Sequence, residues 1–268
     1  MDVWLSFRTG NRAESTSQCI FVDSSGRSAN ERKLGVVLPR NNIPQKDDSV
    51  VRFVVISDTH SRHAELGTLP PGDIFIHCGD ILMSSRLWSP GGRVEKYEQF
   101  NEWLGSGAIQ CPTRLVIGGN HDKELADLGK DKAKGLLSNA FYLENEVFVW
   151  SSPSTGPVSI FGAPLSSGRS GNSAFQGEPS LKATYDAAAQ AASTENPVVL
   201  MTHASNSDLR PIFKEERLRA HFWGHAHGHH GAELKALKGG SQVLSVCASI
   251  MDTQYRPLQL PFVVDVRF

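Results

Sequence analysis

Beyond residue 50, the hydrophobic positions form short runs of mainly β-branched and aromatic residues that are apolar on both faces of an extended chain. Five such runs cover residues 50–56, 73–78, 114–117, 197–201 and 220–223. Strands buried on both faces are typical of parallel sheets that other layers cover. A second set of runs alternates apolar and polar side chains, which predicts strands of a sheet with one polar face. This set covers residues 147–150, 158–161, 242–247 and 261–268.

Segments between these runs predict helices and one long loop. Residues 93–104 place apolar side chains at helical spacing, and residues 181–192 are rich in alanine, a strong helix former. Residues 214–219 carry opposite charges three and four positions apart, which predicts a solvent-exposed helix face. Strands that alternate with helices indicate an α/β domain. The Ser- and Gly-rich segment 166–180 predicts a long loop, and loops of this length are often functional.

Residues 1–50 differ from the rest of the chain, because short apolar runs alternate there with Ser-, Asn- and Arg-rich segments. Two interpretations are open: an appended arm that adds two or three short strands, or a partly disordered tail. We therefore predict two parts of the chain. Residues 1–50 form an N-terminal appended arm that is partly ordered, and residues 51–268 form the main domain.

The composition is that of an average soluble globular chain, with 268 residues of which 40% are hydrophobic and 21% charged. The net charge of −1 gives no global basic field, so neither nucleic acid nor an anionic membrane is a predicted partner. No apolar run is long enough to predict a membrane span, and the N-terminal residues lack the pattern of a secretory signal. The four cysteines are far apart, which predicts reduced thiols and a cytoplasmic protein.

Each of the five buried runs is followed by polar residues that are common metal ligands. The segments are Asp58-Thr59-His60, Gly79-Asp80, Gly119-Asn120-His121-Asp122, Thr202-His203 and Gly224-His225-Ala226-His227. Open α/β sheets bind ligands beyond the carboxyl ends of their strands, so the five segments can meet at one place. Side chains two positions apart on an extended chain point the same way, so each Asp-x-His or His-x-His pair can serve one cluster. Imidazole with carboxylate and amide oxygen suits Mn, Fe, Zn or Co rather than Ca.

These motifs, in this order, resemble those of the calcineurin-like metallophosphoesterases, and the resemblance covers residues 51–268. The resemblance implies an α/β fold, namely a four-layer α/β/β/α sandwich of two mixed β-sheets flanked by helices. It also implies two divalent metal ions, one of which Asp58, His60 and His227 would hold. Asn120, His203 and His225 would hold the other ion, and Asp80 would bridge both.

The resemblance further implies hydrolysis of a phosphoester by a hydroxide that bridges the two ions. His121 would assist the leaving oxygen as a general acid or as a charge stabiliser, and Asp122 would orient or polarise His121. Segment 56–62 is most similar to the small metallophosphoesterase-domain and class III phosphodiesterase-type members, which favours a small phosphodiester as substrate, with phosphomonoesters next. Arg62 and His63 are candidate substrate contacts, with a solvated loop as the alternative.

Other interpretations of the same residues stay open. Taken singly, an aspartate or asparagine of these motifs is more simply a turn residue or a helix cap. A nuclease of the same fold would need a basic groove, which the balanced charge does not indicate. A metal-binding pseudoenzyme or scaffold would use the fold to bind a partner protein through the 1–50 arm. The sequence does not predict the oligomeric state.

Overall fold

The structure, a computed structural model, describes residues 3–8, 16–22, 36–39, 45–83, 94–166, 171–214, 216–237, 240 and 242–268. Much of the predicted arm lies outside the described residues. So do residue 93 of the first predicted helix and residues 167–170 of the predicted long loop.

The described residues form fourteen strands, four α-helices and three short 3-10 helices. The strands are β1 (Val3–Arg8), β2 (Thr16–Val22), β3 (Val36–Pro39), β4 (Val51–Ile56), β5 (Ile74–His77), β6 (Thr113–Val116), β7 (Phe141–Tyr142), β8 (Glu146–Ser152), β9 (Gly156–Ala163), β10 (Val198–Thr202), β11 (Leu218–Trp223), β12 (Gly231–Ala236), β13 (Gln242–Cys247) and β14 (Phe262–Val266). The α-helices are α1 (Val94–Gly105), α2 (Lys123–Leu128), α3 (Lys130–Leu136) and α4 (Glu178–Ala191). The 3-10 helices are His63–Leu66, Ser207–Ile212 and His227–His229.

The strands form two mixed sheets. The first has the order β3-β2-β1-β14-β4-β5-β6-β7, and the second has the order β12-β13-β11-β10-β9-β8. Strands β4 to β7 run parallel to one another, as do β9, β10, β11 and β13. Strands β14, β8 and β12 pair antiparallel with these neighbours. Parallel strands place their carboxyl ends at the same edge, so the polar segments after β4, β5 and β6 emerge together.

Alternate residues of the central strands face different layers. In β4, Val51, Phe53 and Val55 pack into the core between the two sheets, whereas Val54 and Ile56 pack on the opposite face. Helix α1 covers that opposite face, and α4 covers the outer face of the second sheet. The layers are therefore helix, sheet, sheet and helix, which confirms the predicted four-layer α/β/β/α sandwich of two mixed β-sheets.

Most elements predicted after residue 50 are present, with small shifts at their ends. Each predicted strand overlaps an observed one, and the helices predicted at 93–104 and 181–192 overlap α1 and α4. The sequence does not predict β7, β12 or α3. The exposed helix predicted at 214–219 is wrong, because Leu218 is buried against the α4 layer and begins β11 opposite Val198.

The predicted arm contains three strands that extend the first sheet. Strand β1 pairs antiparallel with β14, with Val3 opposite Val266, and β2 and β3 continue the sheet outward. These strands fit the interpretation in which the arm adds strands to the domain. The division of the chain at residue 50 stays a prediction.

The cysteines and the helices bear on two predictions from composition. Cys78, Cys111 and Cys247 are buried free thiols, as the prediction of reduced cysteines requires. The side chain of Cys19 lies outside the described part of the chain. Within the described residues, no helix combines the length and the apolar character needed to cross a bilayer.

A buried ion pair joins β14 to β4. The Arg52 guanidinium donates to both carboxylate oxygens of Asp265, over 2.7 Å from Nε and 2.6 Å from Nη2. We expect Asp265→Ala to lower the free energy of unfolding by about 3–5 kcal/mol, because it removes the carboxylate that pairs with a buried guanidinium. Urea denaturation measures the change. The control Asp127→Ala breaks an exposed pair with Lys123 and loses at most about 1 kcal/mol. Equal losses in both variants would contradict the expectation.

Candidate metal centre

The polar segments that follow the central strands of the two sheets meet at one edge of the sandwich. Within the first sheet, the Asp58 N–H donates to the Gly79 carbonyl over 2.9 Å. Within the second sheet, the Gly224 N–H donates to the His203 carbonyl over 2.8 Å. The His225 N–H donates to the Asp58 carboxylate, at 3.0 Å from Oδ2, and so connects the two sheets. The predicted convergence of these segments is therefore present in the fold.

Titratable side chains of these segments form three overlapping groups, each with its ligand atoms within 4.8 Å of one another. The groups are Asp58, His60 and His227; His60, Asp80 and His121; and Asp80, His203 and His225. The amide oxygen of Asn120 joins the third group. The seven residues predicted as metal ligands thus lie in one continuous cluster, and His121 lies at its edge.

At one end of the cluster, Asp58, His60 and His227 turn their ligand atoms toward one another. The Nε2 atoms of His60 and His227 are 3.2 Å apart, and His227 Nε2 is 3.4 Å from Asp58 Oδ1. Two imidazole nitrogens at this distance need a proton or a cation between them, because two lone pairs repel. Among the described residues, the buried Nδ1 of His60 has no hydrogen-bond partner. The contact between the two Nε2 atoms can form with the proton on either ring.

At the other end, two histidines converge on the side chain of Asn120. Asn120 Oδ1 lies 2.9 Å from His203 Nε2 and 2.8 Å from His225 Nδ1. His203 Nδ1 lies 2.8 Å from the Cys78 carbonyl oxygen, to which it donates a hydrogen bond. In the neutral ring this leaves the Nε2 lone pair facing the cluster, which is the arrangement of a metal-binding histidine.

Asp80 lies between the two ends, and its two oxygens face different neighbours. Oδ1 is 3.3 Å from His203 Nε2 and accepts a hydrogen bond from the His121 backbone N–H over 2.9 Å. Oδ2 is 3.8 Å from His60 Nε2 and 3.9 Å from His121 Nε2. A carboxylate placed in this way can bridge two cations.

Burial and neighbouring charges act in opposite directions on these groups. Burial would raise the pKa of Asp80, but the nearby His203 holds this pKa well below its usual value. Burial also opposes ionisation of Asp58, yet the hydrogen bond from His227 lowers the pKa of Asp58. Although burial favours its neutral form, Asp80 and Asp58 raise the pKa of His203 to about 9. Two buried carboxylates that stay ionised need cations nearby, so this donor set of imidazole, carboxylate and amide groups fits borderline divalent ions.

Several of these residues adopt a backbone conformation that L-residues rarely use. Asp58, His60, Asp80 and His225 have φ angles of 56°, 44°, 54° and 70°. Each such residue costs on the order of 1–3 kcal/mol, and such residues concentrate at functional sites because the surrounding fold must hold them. The strain here coincides with the side-chain cluster.

Gly119 leaves room for the centre of the cluster. A Cβ at this position would lie 2.3 Å from Asp80 Oδ1 and 2.7 Å from His203 Cε1. We expect Gly119→Ala to weaken metal binding by at least about 10-fold, since it displaces a shared carboxylate. Metal content after dialysis measures the change. Gly135→Ala is the control, because its Cβ would meet nothing within 4 Å. Equal metal content in the two variants would show that metal binding does not depend on the position of the Asp80 carboxylate.

His121 carries its ring at the edge of the cluster. Its centroid is 4.7 Å from that of His60, and its Nε2 is 3.0 Å from Asn172 Nδ2. Burial lowers the pKa of His121, although Asp80 opposes this shift. Asn172 lies in the Ser- and Gly-rich segment predicted as a long functional loop, and this composition is the one sequence signal that points to Asn172. The structure therefore adds Asn172 to the residues around the cluster.

The described hydrogen bonds of the Asp122 side chain connect three parts of the fold, and the His121 ring is not among their partners. Its carboxylate accepts from the backbone N–H groups of Ile81, Leu82 and Gly119, over 3.1, 3.2 and 2.8 Å, and from the Tyr97 hydroxyl over 2.9 Å. These four donors fill the acceptor positions of a carboxylate. Burial, opposed by these hydrogen bonds, raises the pKa of Asp122 to about 7. The described hydrogen bonds of Asp122 therefore join the loops that carry Asp80 and Asn120, and its predicted role in orienting or polarising His121 stays a prediction.

The two candidate substrate contacts make their described contacts outside the cluster. Arg62 is half-buried, pairs with Glu65 over 2.7 Å and donates to the Tyr255 carbonyl over 3.1 Å. The His63 ring packs against Phe100 and Trp103, 5.2 and 5.3 Å between centroids, under helix α1. The structure thus does not bring His63 into the cluster, because aromatic burial holds it on the helix side. A substrate role for either residue stays a prediction.

Comparisons with known proteins match the part of the chain that carries the cluster. A family model described as calcineurin-like phosphoesterase matches residues 51–229, a range that contains all five polar segments. Metallophosphoesterase domain-containing protein 1 of Homo sapiens is 34% identical over 122 residues, which are 37% of this chain and 34% of that protein. Probable rhamnogalacturonate lyase C of Emericella nidulans is 28% identical over 205 residues, 70% of this chain and 18% of that protein.

The matched parts cover only about a third or less of these two relatives. Among solved structures, TT1561 of Thermus thermophilus has a TM-score of 0.40 and 13% sequence identity, covering 73% of this chain and 88% of that one. The family model by itself matches more than half of the chain. On this match, the chain belongs to the calcineurin-like phosphoesterase family.

Proposed function

We propose that the protein is a binuclear metal-dependent phosphoesterase that hydrolyses phosphodiesters, with phosphomonoesters as the next substrate class. The observation that carries this proposal is the position of Asp80, whose carboxylate belongs to two of the three overlapping ligand groups. Asp58, His60 and His227 hold one ion in this proposal, and Asn120, His203 and His225 hold the other. When bound, two divalent ions supply the positive charge that activates water and neutralises phosphoryl oxygens.

The charge of the proposed site suits an anionic phosphoryl group. Two divalent ions bring four positive charges, and the seven ligands include the two carboxylates of Asp58 and Asp80, so two positive charges remain. The chain as a whole has a net charge of only −1. The attraction for substrate is therefore local to the cluster, which supports a small phosphoester as the partner.

In this proposal, His121 is the group that meets the leaving oxygen. Its backbone N–H donates to Asp80 Oδ1, which holds the residue beside the shared carboxylate. Its ring Nε2 stays 3.9 Å from Asp80 Oδ2, farther than His203 Nε2 is from Oδ1, and hydrogen-bonds with Asn172. In the proposal, His121 donates a hydrogen bond or a proton as the phosphorus–oxygen bond breaks. His121 also forms a ligand group with His60 and Asp80, so the alternative role is that of a metal ligand. A variant of His121 distinguishes the two roles.

A substrate assay with metal removal tests the proposal. We expect the purified protein to hydrolyse bis-p-nitrophenyl phosphate with added Mn, and to lose this activity when a chelator removes the metal. Readdition of Mn, Fe, Zn or Co then ranks the ions that support turnover, and metal analysis gives the number of ions per chain. Fewer than two ions per chain, with no turnover on a broad panel of phosphoesters, would instead favour a metal-binding scaffold.

A further inference from the structure

Tyr255 lies beside the candidate metal centre, although no motif of the sequence points to it. Its ring centroid is 5.0 Å from that of His60 and 4.8 Å from that of His227. The side chain is nevertheless 40% exposed, so part of its ring contacts the two histidines and part is open to solvent. Any group that approaches this end of the cluster therefore meets an aromatic surface.

The backbone of Tyr255 is held in an uncommon conformation. Its φ angle of 59° lies in the left-handed region, which is a genuine outlier for a bulky side chain. Such a conformation persists only where the surrounding structure fixes it, and it is often found at binding sites. Here it presents an exposed ring next to His60 and His227.

Hydrogen bonds brace the loop on both sides of Tyr255. The Tyr255 N–H donates to the Asp252 carbonyl over 3.0 Å, and the Tyr255 carbonyl accepts from Arg62 Nη1 over 3.1 Å. The Asp252 carboxylate accepts from the backbone N–H groups of Gln254 and Arg256, over 2.8 and 2.9 Å. The position of Tyr255 is thus fixed before a ligand binds. Arg62, predicted as a substrate contact, acts in this arrangement as a support for Tyr255.

We propose that Tyr255 determines specificity by forming an aromatic wall beside the phosphoryl site, and that it favours phosphoesters with a planar aromatic ester group. The inference rests on the proposed function, which holds the phosphoryl group at the cluster. An ester group attached to that phosphorus extends only a few bonds from His60 and His227, within reach of the ring of Tyr255. Aromatic pairs in offset or edge-to-face contact bind more tightly than the buried area alone predicts.

Binding of two phosphonates to the metal-loaded protein tests the wall without any bond cleavage. Phenylphosphonate and methylphosphonate share the phosphoryl group and differ in the aromatic ring. We expect phenylphosphonate to inhibit hydrolysis of bis-p-nitrophenyl phosphate more strongly than methylphosphonate. We expect Tyr255→Ala and Tyr255→Leu to reduce this preference by about 2- to 10-fold, and Tyr255→Phe to keep it. Direct titration of both phosphonates gives the same comparison as dissociation constants.

Phe141→Ala is the matched control, because Phe141 is an exposed aromatic residue whose ring packs on Phe148 in β8. It should leave the preference unchanged. An unchanged preference in Tyr255→Ala, with hydrolysis intact, overturns this inference and leaves the proposed function standing. Loss of the preference in Tyr255→Phe also overturns it, because the hydroxyl rather than the ring would then select the ligand. A wild-type protein that binds neither phosphonate and hydrolyses no phosphoester overturns the proposed function as well.

Discussion

Replacement of Asp80 by asparagine should abolish metal-dependent turnover. Asp80→Asn keeps the side-chain volume and an oxygen that can accept from the His121 N–H, but it removes the negative charge between the two ends of the cluster. Changes at residues that only support ligands typically cost about 10- to 100-fold, so loss of the shared carboxylate should exceed about 1000-fold. The rate of bis-p-nitrophenyl phosphate hydrolysis and the metal content per chain measure the effect.

A control variant at a second aspartate separates the loss of the bridging carboxylate from a general loss of negative charge. Asp127→Asn changes an exposed carboxylate that pairs with Lys123 on the surface, and it should retain the rate and the metal content. Circular dichroism should show that Asp80→Asn remains folded, because the core between the sheets is unchanged. If Asp80→Asn bound two ions and turned over at the wild-type rate, the assignment of Asp80 as the bridging ligand would be wrong.

Replacement of His121 by alanine should slow turnover by about 100-fold or more while both ions stay bound, the usual scale for an acid–base group. The loss should be larger for a phosphoester with a poor leaving group, because p-nitrophenolate needs little assistance as it departs. The comparison therefore uses the same protein with a p-nitrophenyl ester and with an alkyl ester. The ratio of the two losses reports assistance to the leaving oxygen.

The same variant tests the alternative in which His121 is a metal ligand. Loss of an ion from His121→Ala would assign the residue to the group that it forms with His60 and Asp80. Wild-type activity on the ester with the poor leaving group would exclude any catalytic role. His229→Ala, at the end of a short 3-10 helix and outside the three ligand groups, provides a histidine control.

The sequence predicts that the polar segments meet at one place because its signal is local. A buried strand that ends in a short polar segment requires only a short run that is apolar on both faces and a turn, and both are visible around Asp58, Asp80 and His203. Parallel pairing then brings the strand ends together without information about individual side-chain contacts. The layers follow from the same pattern, since strands that are apolar on both faces need cover on both faces.

The residues around the cluster could not be predicted, because their positions depend on contacts between distant segments. Asn172 reaches His121 across 51 positions, and Tyr97 reaches Asp122 across 25. Tyr255 belongs to a loop whose shape depends on hydrogen bonds within it and on Arg62, 193 positions earlier. His63 is close to His60 in sequence, but its ring packs against Phe100 under α1, a contact between segments that the sequence does not reveal.

The seven proposed ligands are divided between the two halves of the sandwich. Those that follow strands of the first sheet are Asp58, His60, Asp80 and Asn120, and those that follow strands of the second are His203, His225 and His227. Ions held there would link the two sheets at the edge of the sandwich, where the apolar packing ends. A ligand that binds only the folded state stabilises that state by mass action. Loss of the metal ions would therefore make the chain more susceptible to proteolysis, in addition to removing its activity.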